Sequence, residues 1–142
     1  MVTLIGGLVG GLVATIVMTA FMMTLGDDSP PPTALFWSKY VGDGDPGDFM
    51  MQGIILHLIY GTIAGGVFAL IVPSLGFVSV ATIGSAVLWG LVYGFVLFVG
   101  AAVFWMNIVL DMDAEPQMVV MFLVFHLVYG GVLGVVLELG LV

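Results

Sequence analysis

Four long apolar segments constrain this chain more than any other feature of its sequence. Each covers 23 to 26 residues, and together they contain one acidic residue, Glu138, and no lysine or arginine. A helix of about 20 apolar residues spans the hydrocarbon core of a bilayer, and a segment in lipid must pair its own backbone groups. The sequence therefore predicts an all-α bundle of four transmembrane helices in a single transmembrane domain over residues 1–142. The predicted spans are residues 3–25, 49–72, 80–105 and 117–142.

The composition excludes several classes of protein. Of the 142 residues, 62% are hydrophobic and 7% are charged, whereas soluble domains carry about 25% charged residues. Nine acidic residues against one lysine give a net charge of −8, so nucleic acid, which binds clustered Lys and Arg, is not an expected partner. The absence of cysteine excludes disulfides and thiolate-bound clusters. This acidic balance resembles that of proteins from salt-loving (halophilic) microbes.

An acidic loop, residues 26–48, joins the first two spans and contains an aromatic segment. Residues 33–41 read TALFWSKYV after a run of prolines, which predicts a short helix lying at the membrane interface. Thr33 is expected to cap this helix, and its aromatic side chains are expected to face apolar surface. The three carboxylates between residues 43 and 48 are too few for a calcium site, so no metal site is predicted.

An even number of spans predicts that both chain ends lie on one face of the membrane. Both long loops then lie on the opposite side, here named the loop face, which carries eight of the nine acidic residues. We expect a multi-pass protein of the cell membrane with the loop face outside, because the other face has no long polar segment.

The second and fourth spans repeat one another at an offset of 69 residues. The sequence HLIYGTIAGGVFAL begins at His57 and HLVYGGVLGVVLEL begins at His126. Because each half contributes two spans, the halves insert in the same direction. The repeat predicts a duplicated helical hairpin with a pseudo-two-fold axis along the membrane normal, unlike inverted repeats. The chemically distinctive pairs are His57/His126, Tyr60/Tyr129, Gly61/Gly130 and Gly65/Gly134.

These eight residues are the candidate cofactor-binding residues of the sequence. Counting 1.5 Å per residue puts both histidines roughly 12 Å from the loop face, and ionisable groups at such depth usually face the bundle interior. One interpretation is purely structural: the glycines let helices approach closely, while Thr15 or Thr19 hydrogen-bonds to His57. A second is haem b held between His57 and His126, with the glycines leaving room for a flat porphyrin. A third is a quinone or lipid-headgroup pocket with histidine and tyrosine as donors.

The sequence contains no motif of nucleotide binding, serine hydrolysis or zinc proteolysis, so an enzyme is not expected. Glycine stripes occur on all four spans, which is more than a chain of this length needs to pack against itself. The first hypothesis is therefore a non-catalytic subunit of a larger membrane complex, in contact with the lipid bilayer and other membrane subunits. The haem electron carrier and the quinone- or lipid-binding protein are the alternatives.

Three short motifs resemble those of a family of small four-helix membrane proteins from bacteria and archaea. They are GLVAT at residues 11–15, His-x-x-x-Gly from His57, and His-Leu-x-x-Gly from His126. The chain looks like an acidic member of the type found in salt-loving archaea, with residues 26–48 resembling an insertion. No activity is established for the family, so the resemblance implies architecture. Relatives associated with respiratory genes imply a place in respiratory electron transport beside terminal oxidases.

Overall fold

The computed structural model describes residues 2–26, 28–76, 78 and 80–140, and within these residues the secondary structure is helical with no strand. Four of the helical stretches are long and apolar enough to cross a membrane, which confirms the prediction of an all-α protein suited to a multi-pass arrangement. Leu141 and Val142, the end of the predicted fourth span, lie outside the described residues. The α-helices are α1 (Leu4–Leu25), α2 (Pro32–Tyr40), α3 (Met50–Ile71), α4 (Ile83–Gly100) and α5 (Pro116–Leu139).

Local side-chain hydrogen bonds fix where the first and third spans begin. Thr3 caps α1, its Oγ1 accepting from the backbone N–H of Gly6 at 2.9 Å. Thr82 and Ser85 form a reciprocal capping box at the start of α4, with bonds of 3.2 and 3.1 Å. Capping of this kind satisfies the backbone donors that have no partner in the first helical turn. Each of these two helices therefore starts at a defined residue.

The third span differs from the prediction in its ends and in its geometry. It begins at Ile83 rather than residue 80, and beyond Gly100 it continues as a π-helical segment, Ala101–Val109. The wider turn is visible where the N–H of Leu110 donates to the carbonyl of Trp105 at 2.9 Å. Wide turns of this kind are rare and are found mostly as short insertions in α-helices. The span thus reaches farther toward the loop face than its apolar pattern predicts.

The four long helices contribute unequally to the buried core. Helix α1 packs against both α3 and α5, whereas α4 packs mainly against α5. The fully buried side chains Phe68 and Leu133 mark the centre of the core, which is built from α1, α3 and α5. From α4 come only partly buried residues at its edge, among them Tyr93. Helix α4 therefore lies at the periphery of the described chain.

The predicted loop helix is present as α2, but its N-cap differs from the prediction. Pro31 occupies the N-cap position, and Thr33 lies inside the first turn, where its Oγ1 is buried without a hydrogen-bond partner. Proline suits the first helical position, here Pro32, because its fixed φ angle is already helical and its missing N–H is not needed there. The consecutive prolines therefore start α2 one residue before Thr33, so that Thr33 cannot serve as the cap.

The far end of α2 is fastened to the π-helical segment. Lys39 donates to the carbonyls of Val109 and Leu110 at 3.1 and 3.4 Å, and the Tyr40 hydroxyl donates to Val109 at 2.7 Å. A cation at a helix C-terminus also interacts favourably with the helix dipole. The ring of Phe36 meets that of Trp105 edge-on, with centroids 5.6 Å apart. The single lysine of the chain thus joins the first loop to the end of the third span.

Candidate functional site

The glycines of α3 lie against α1. A Cβ built on Gly11 would lie 2.5 Å from the carbonyl oxygen of Gly61 and 2.9 Å from Cα of Gly65. A Cβ on Gly61 would meet the hydroxyl of Thr15. Such distances are too short for any side chain, so the two helices touch through their backbones. This part of the candidate site is covered by a neighbouring helix.

The glycines of α5 lie against α4 in the same manner. A Cβ on Gly130 would lie 2.8 Å from the carbonyl carbon of Gly90 and 3.1 Å from the backbone nitrogen of Gly94. A Cβ on Gly134 would lie 2.9 Å from Cα of Val87. Small residues that let backbones approach are typical of helix contacts in membranes. These contacts fit the interpretation that the glycines serve helix packing. Haem binding stays a prediction, and the glycine faces of α3 and α5 leave no open surface for a porphyrin.

His57 lies in the interface between α3 and α1. It is half-buried, and its Nδ1 lies 3.3 Å from Oγ1 of Thr19. Of the two threonines expected near this ring, Thr19 is the partner, because Thr15 donates its hydroxyl proton to the Gly11 carbonyl at 2.6 Å. A neutral imidazole has one donor and one acceptor nitrogen. The contact with Thr19 therefore employs one ring nitrogen and leaves the other for a different partner.

His126 occupies the corresponding interface between α5 and α4. It is 6% exposed, and its Nδ1–H donates to the carbonyl of Phe122 at 2.7 Å, one turn earlier in the same helix. The rings of Phe122 and Phe98 lie edge-on to the imidazole, at centroid distances of 4.5 and 6.2 Å. Each histidine thus contacts the other helix of its own hairpin. The two rings have different surroundings despite their equivalent sequence positions.

The two candidate tyrosines also have different environments. Tyr129 is 2% exposed, and its hydroxyl donates to the carbonyl of Gly61 at 2.7 Å, which joins α5 to α3. Tyr60 is 38% exposed and places its ring against Trp105. A third tyrosine, Tyr93, was not among the candidates, yet its hydroxyl donates to the carbonyl of Ala64 at 2.7 Å. A buried tyrosine needs a hydrogen-bond partner. A tyrosine within an apolar segment of the sequence is therefore the signal that could have identified Tyr93.

A cavity of about 450 Å³ opens beside His57, on the loop-face side of the long helices. It lies where the end of α1, the starts of α3 and α5, and the π-helical segment meet the loops. Its volume falls within the range of small-ligand sites. Neither candidate tyrosine lines it, and among the candidate residues it takes in His57 alone. The repeat in the sequence gives no indication of this cavity.

The cavity wall is rich in methionine. Seven of the ten methionines of the chain border it. The exposed carboxylates of Asp28 and Glu115 stand with the loop residues at its outer end, whereas His57 and Phe125 lie deeper along their helices. The bordering methionines are Met22, Met23, Met50, Met106, Met112, Met118 and Met121.

Two of the carboxylates in the first acidic loop are occupied by local hydrogen bonds. Asp45 and Asp48 form a capping box at the 3₁₀ turn Pro46–Phe49, where the N–H of Asp45 donates to Oδ2 of Asp48 at 3.2 Å. In the part of the chain that the structure describes, no three His, Cys, Asp or Glu side chains are grouped so as to hold a metal ion. A hard cation therefore finds no carboxylate or imidazole cluster in these residues.

Comparisons of the chain with protein-family models, with curated proteins and with solved structures found no match.

Proposed function

We propose that this chain is a non-catalytic integral subunit of a larger membrane complex in respiratory electron transport, of the terminal-oxidase type. The observation that carries the proposal is the difference in burial among the four spans. In the third span, 17% of the most apolar window is buried inside the chain, against 33% to 39% in the other three. A helix of which so small a share is buried, although it packs closely on α5, has most of its surface available to lipid or to another subunit.

The outer side of α4 supports a protein partner. Leu88, Val92 and Val96 are 58%, 44% and 57% exposed, and their spacing of four residues places them on one ridge of the helix. Gly84 and Gly100 continue this spacing at either end, and a Cβ on either would meet nothing within 4 Å. Ridges of this kind pack into the grooves of neighbouring helices, and open glycines allow close approach.

The remaining glycine stripes do not add to this support. The sequence predicts partner contacts at the glycines of all four spans, but those of α3 and α5 pack against α1 and α4 within the chain. The ridge of α4 between Gly84 and Gly100 is therefore the surface that supports a partner.

We also propose that the chain is a duplicated hairpin with a pseudo-two-fold axis along the membrane normal and its acidic loops outside the cell. The support is the recurrence of one kind of contact: Gly11 meets Gly61 in the first hairpin, and Gly90 meets Gly130 in the second. The second member of each pair falls on the 69-residue repeat. Two hairpins that arose by duplication of one ancestral hairpin would preserve this contact in each half.

The subunit proposal is tested by extracting the chain from its native membrane in mild detergent and weighing the particle by native mass spectrometry. We expect a particle far heavier than 14.9 kDa that contains different membrane proteins. Val92→Trp, on the ridge, should reduce their recovery. Ile63→Trp is the matched control, because Ile63 is 57% exposed on α3. Recovery of a homogeneous single chain, or equal loss in both variants, would refute the proposal.

A further inference from the structure

We infer that the methionine-lined cavity is a binding site for monovalent copper. This inference goes beyond the proposed subunit role and does not depend on it. Five of the methionines that border the cavity are at least partly shielded from solvent and come from four separate parts of the chain: Met22, Met106, Met112, Met118 and Met121. Convergence of residues so far apart in sequence is a property of the folded chain.

A packing role alone does not account for these side chains. Methionine is a common gap-filler in cores because its long unbranched side chain adapts to irregular space. Here the methionines surround about 450 Å³ of open volume instead of filling it. Met106 is 3% exposed and still borders the cavity. Outside the cavity, the described residues include only two methionines, Met18 and Met51.

The donor set selects the metal. Thioether sulfur is a soft, neutral ligand that favours Cu(I), whereas Ca²⁺, Mg²⁺ and Mn²⁺ favour oxygen. The imidazole of His57 is a suitable additional ligand, since the tautomer that donates Nδ1–H to Thr19 leaves an electron pair on Nε2. The described residues offer no cluster of three His, Cys, Asp or Glu side chains, so they provide no competing site for zinc or calcium.

The charge distribution suits entry of a cation from the loop face. Asp28 and Glu115 are exposed at the outer end of the cavity, and the whole chain carries a net charge of −8. A mouth of one charge sign concentrates counter-ions of the opposite sign and speeds their association. The neutral thioethers would then hold the ion below this acidic rim.

The test is an anaerobic titration of the full chain, purified in detergent, with Cu(I) supplied as its weakly held acetonitrile complex. We expect stoichiometric transfer of Cu(I) to the protein, with sulfur neighbours in the X-ray absorption spectrum of the bound metal. Met118→Leu/Met121→Leu should weaken binding by about tenfold or more, because loss of an outer-shell partner alone costs 10–100-fold. Met18→Leu/Met51→Leu removes as many methionines outside the cavity and should bind as the original chain does.

Several results would overturn the inference. One is absence of transfer to the original chain, and another is equal binding by the two double variants when both retain helical far-UV circular dichroism. Uptake of Zn²⁺ or Cu²⁺ as strong as that of Cu(I) would assign binding to the acidic loops instead. A quinone that co-purifies with the chain and is not displaced by Cu(I) would assign the cavity to that ligand.

Discussion

Replacing Gly130 by alanine is expected to force α4 and α5 apart. The added methyl carbon would lie 2.8 Å from the carbonyl carbon of Gly90 and 3.1 Å from the backbone nitrogen of Gly94. These are backbone atoms, so no side chain can rotate to make room and the helix itself must move. Overpacking of this kind costs about 1–3 kcal/mol.

Gly131→Ala provides a matched control in the same helix. A Cβ on Gly131 would lie 3.7 Å from Cδ2 of Leu91, which is an ordinary contact. Both substitutions gain the same intrinsic helix propensity, about 0.5–1 kcal/mol for Gly to Ala. The difference between the two variants therefore isolates the steric cost, and we expect Gly130→Ala to be less stable by roughly 1–3 kcal/mol.

Reversible unfolding in mixed micelles of increasing SDS content, followed by far-UV circular dichroism, measures this difference. We expect the midpoint of Gly130→Ala below that of the original chain and the midpoint of Gly131→Ala at or above it. If Gly130→Ala proves as stable as Gly131→Ala, then α4 and α5 do not touch through their glycines, and the interpretation of these glycines as a packing surface is wrong.

Three further outcomes depend on single contacts. Tyr129→Phe removes the bond to the Gly61 carbonyl and should lower the stability by about 0.6 kcal/mol, the average for such bonds in a membrane protein; Tyr60→Phe, at the surface, should change the same SDS midpoint far less. Lys39→Met removes the cation at the end of the π-helical segment. This should lower the free energy of local opening there by about 0.3–1 kcal/mol and so speed amide hydrogen exchange, whereas Glu138→Gln should leave that exchange unchanged. The purified protein should show no Soret absorption, because neighbouring helices cover the glycines that a porphyrin would need; a sharp Soret band abolished by alanine at either histidine would refute this.

The helical class of the protein is readable from its sequence because apolar runs have few alternatives in lipid. The ends of the third span are not, since apolarity does not distinguish an α-helix from the wider turn over Ala101–Val109. The start of α2 depended on Pro32 at the first helical position, whose fixed backbone outweighs the capping tendency of Thr33. Local conformational preference, which hydropathy ignores, decided the start of α2.

The surroundings of the candidate residues were predicted only in part, because a sequence repeat establishes equivalent positions and not equal contacts. His57 and His126 match at the repeat offset, yet each lies in the interface of its own hairpin. The one predicted contact that depends on depth alone, between Thr19 and His57, is present. The cavity escaped prediction because a void arises where helix ends and loops meet, and the methionines around it are scattered over distant segments.

The π-helical segment gives this protein a place where its length can change without a break in a span. Each turn of that segment holds more residues than a turn of α-helix, because its hydrogen bonds reach back five residues and not four. Deleting one residue there would therefore be accommodated by tighter winding, with little rotation of the parts of the span on either side. The carbonyls of Val109 and Leu110 would stay within reach of Lys39, and the part of the span packed on α5 would keep its register.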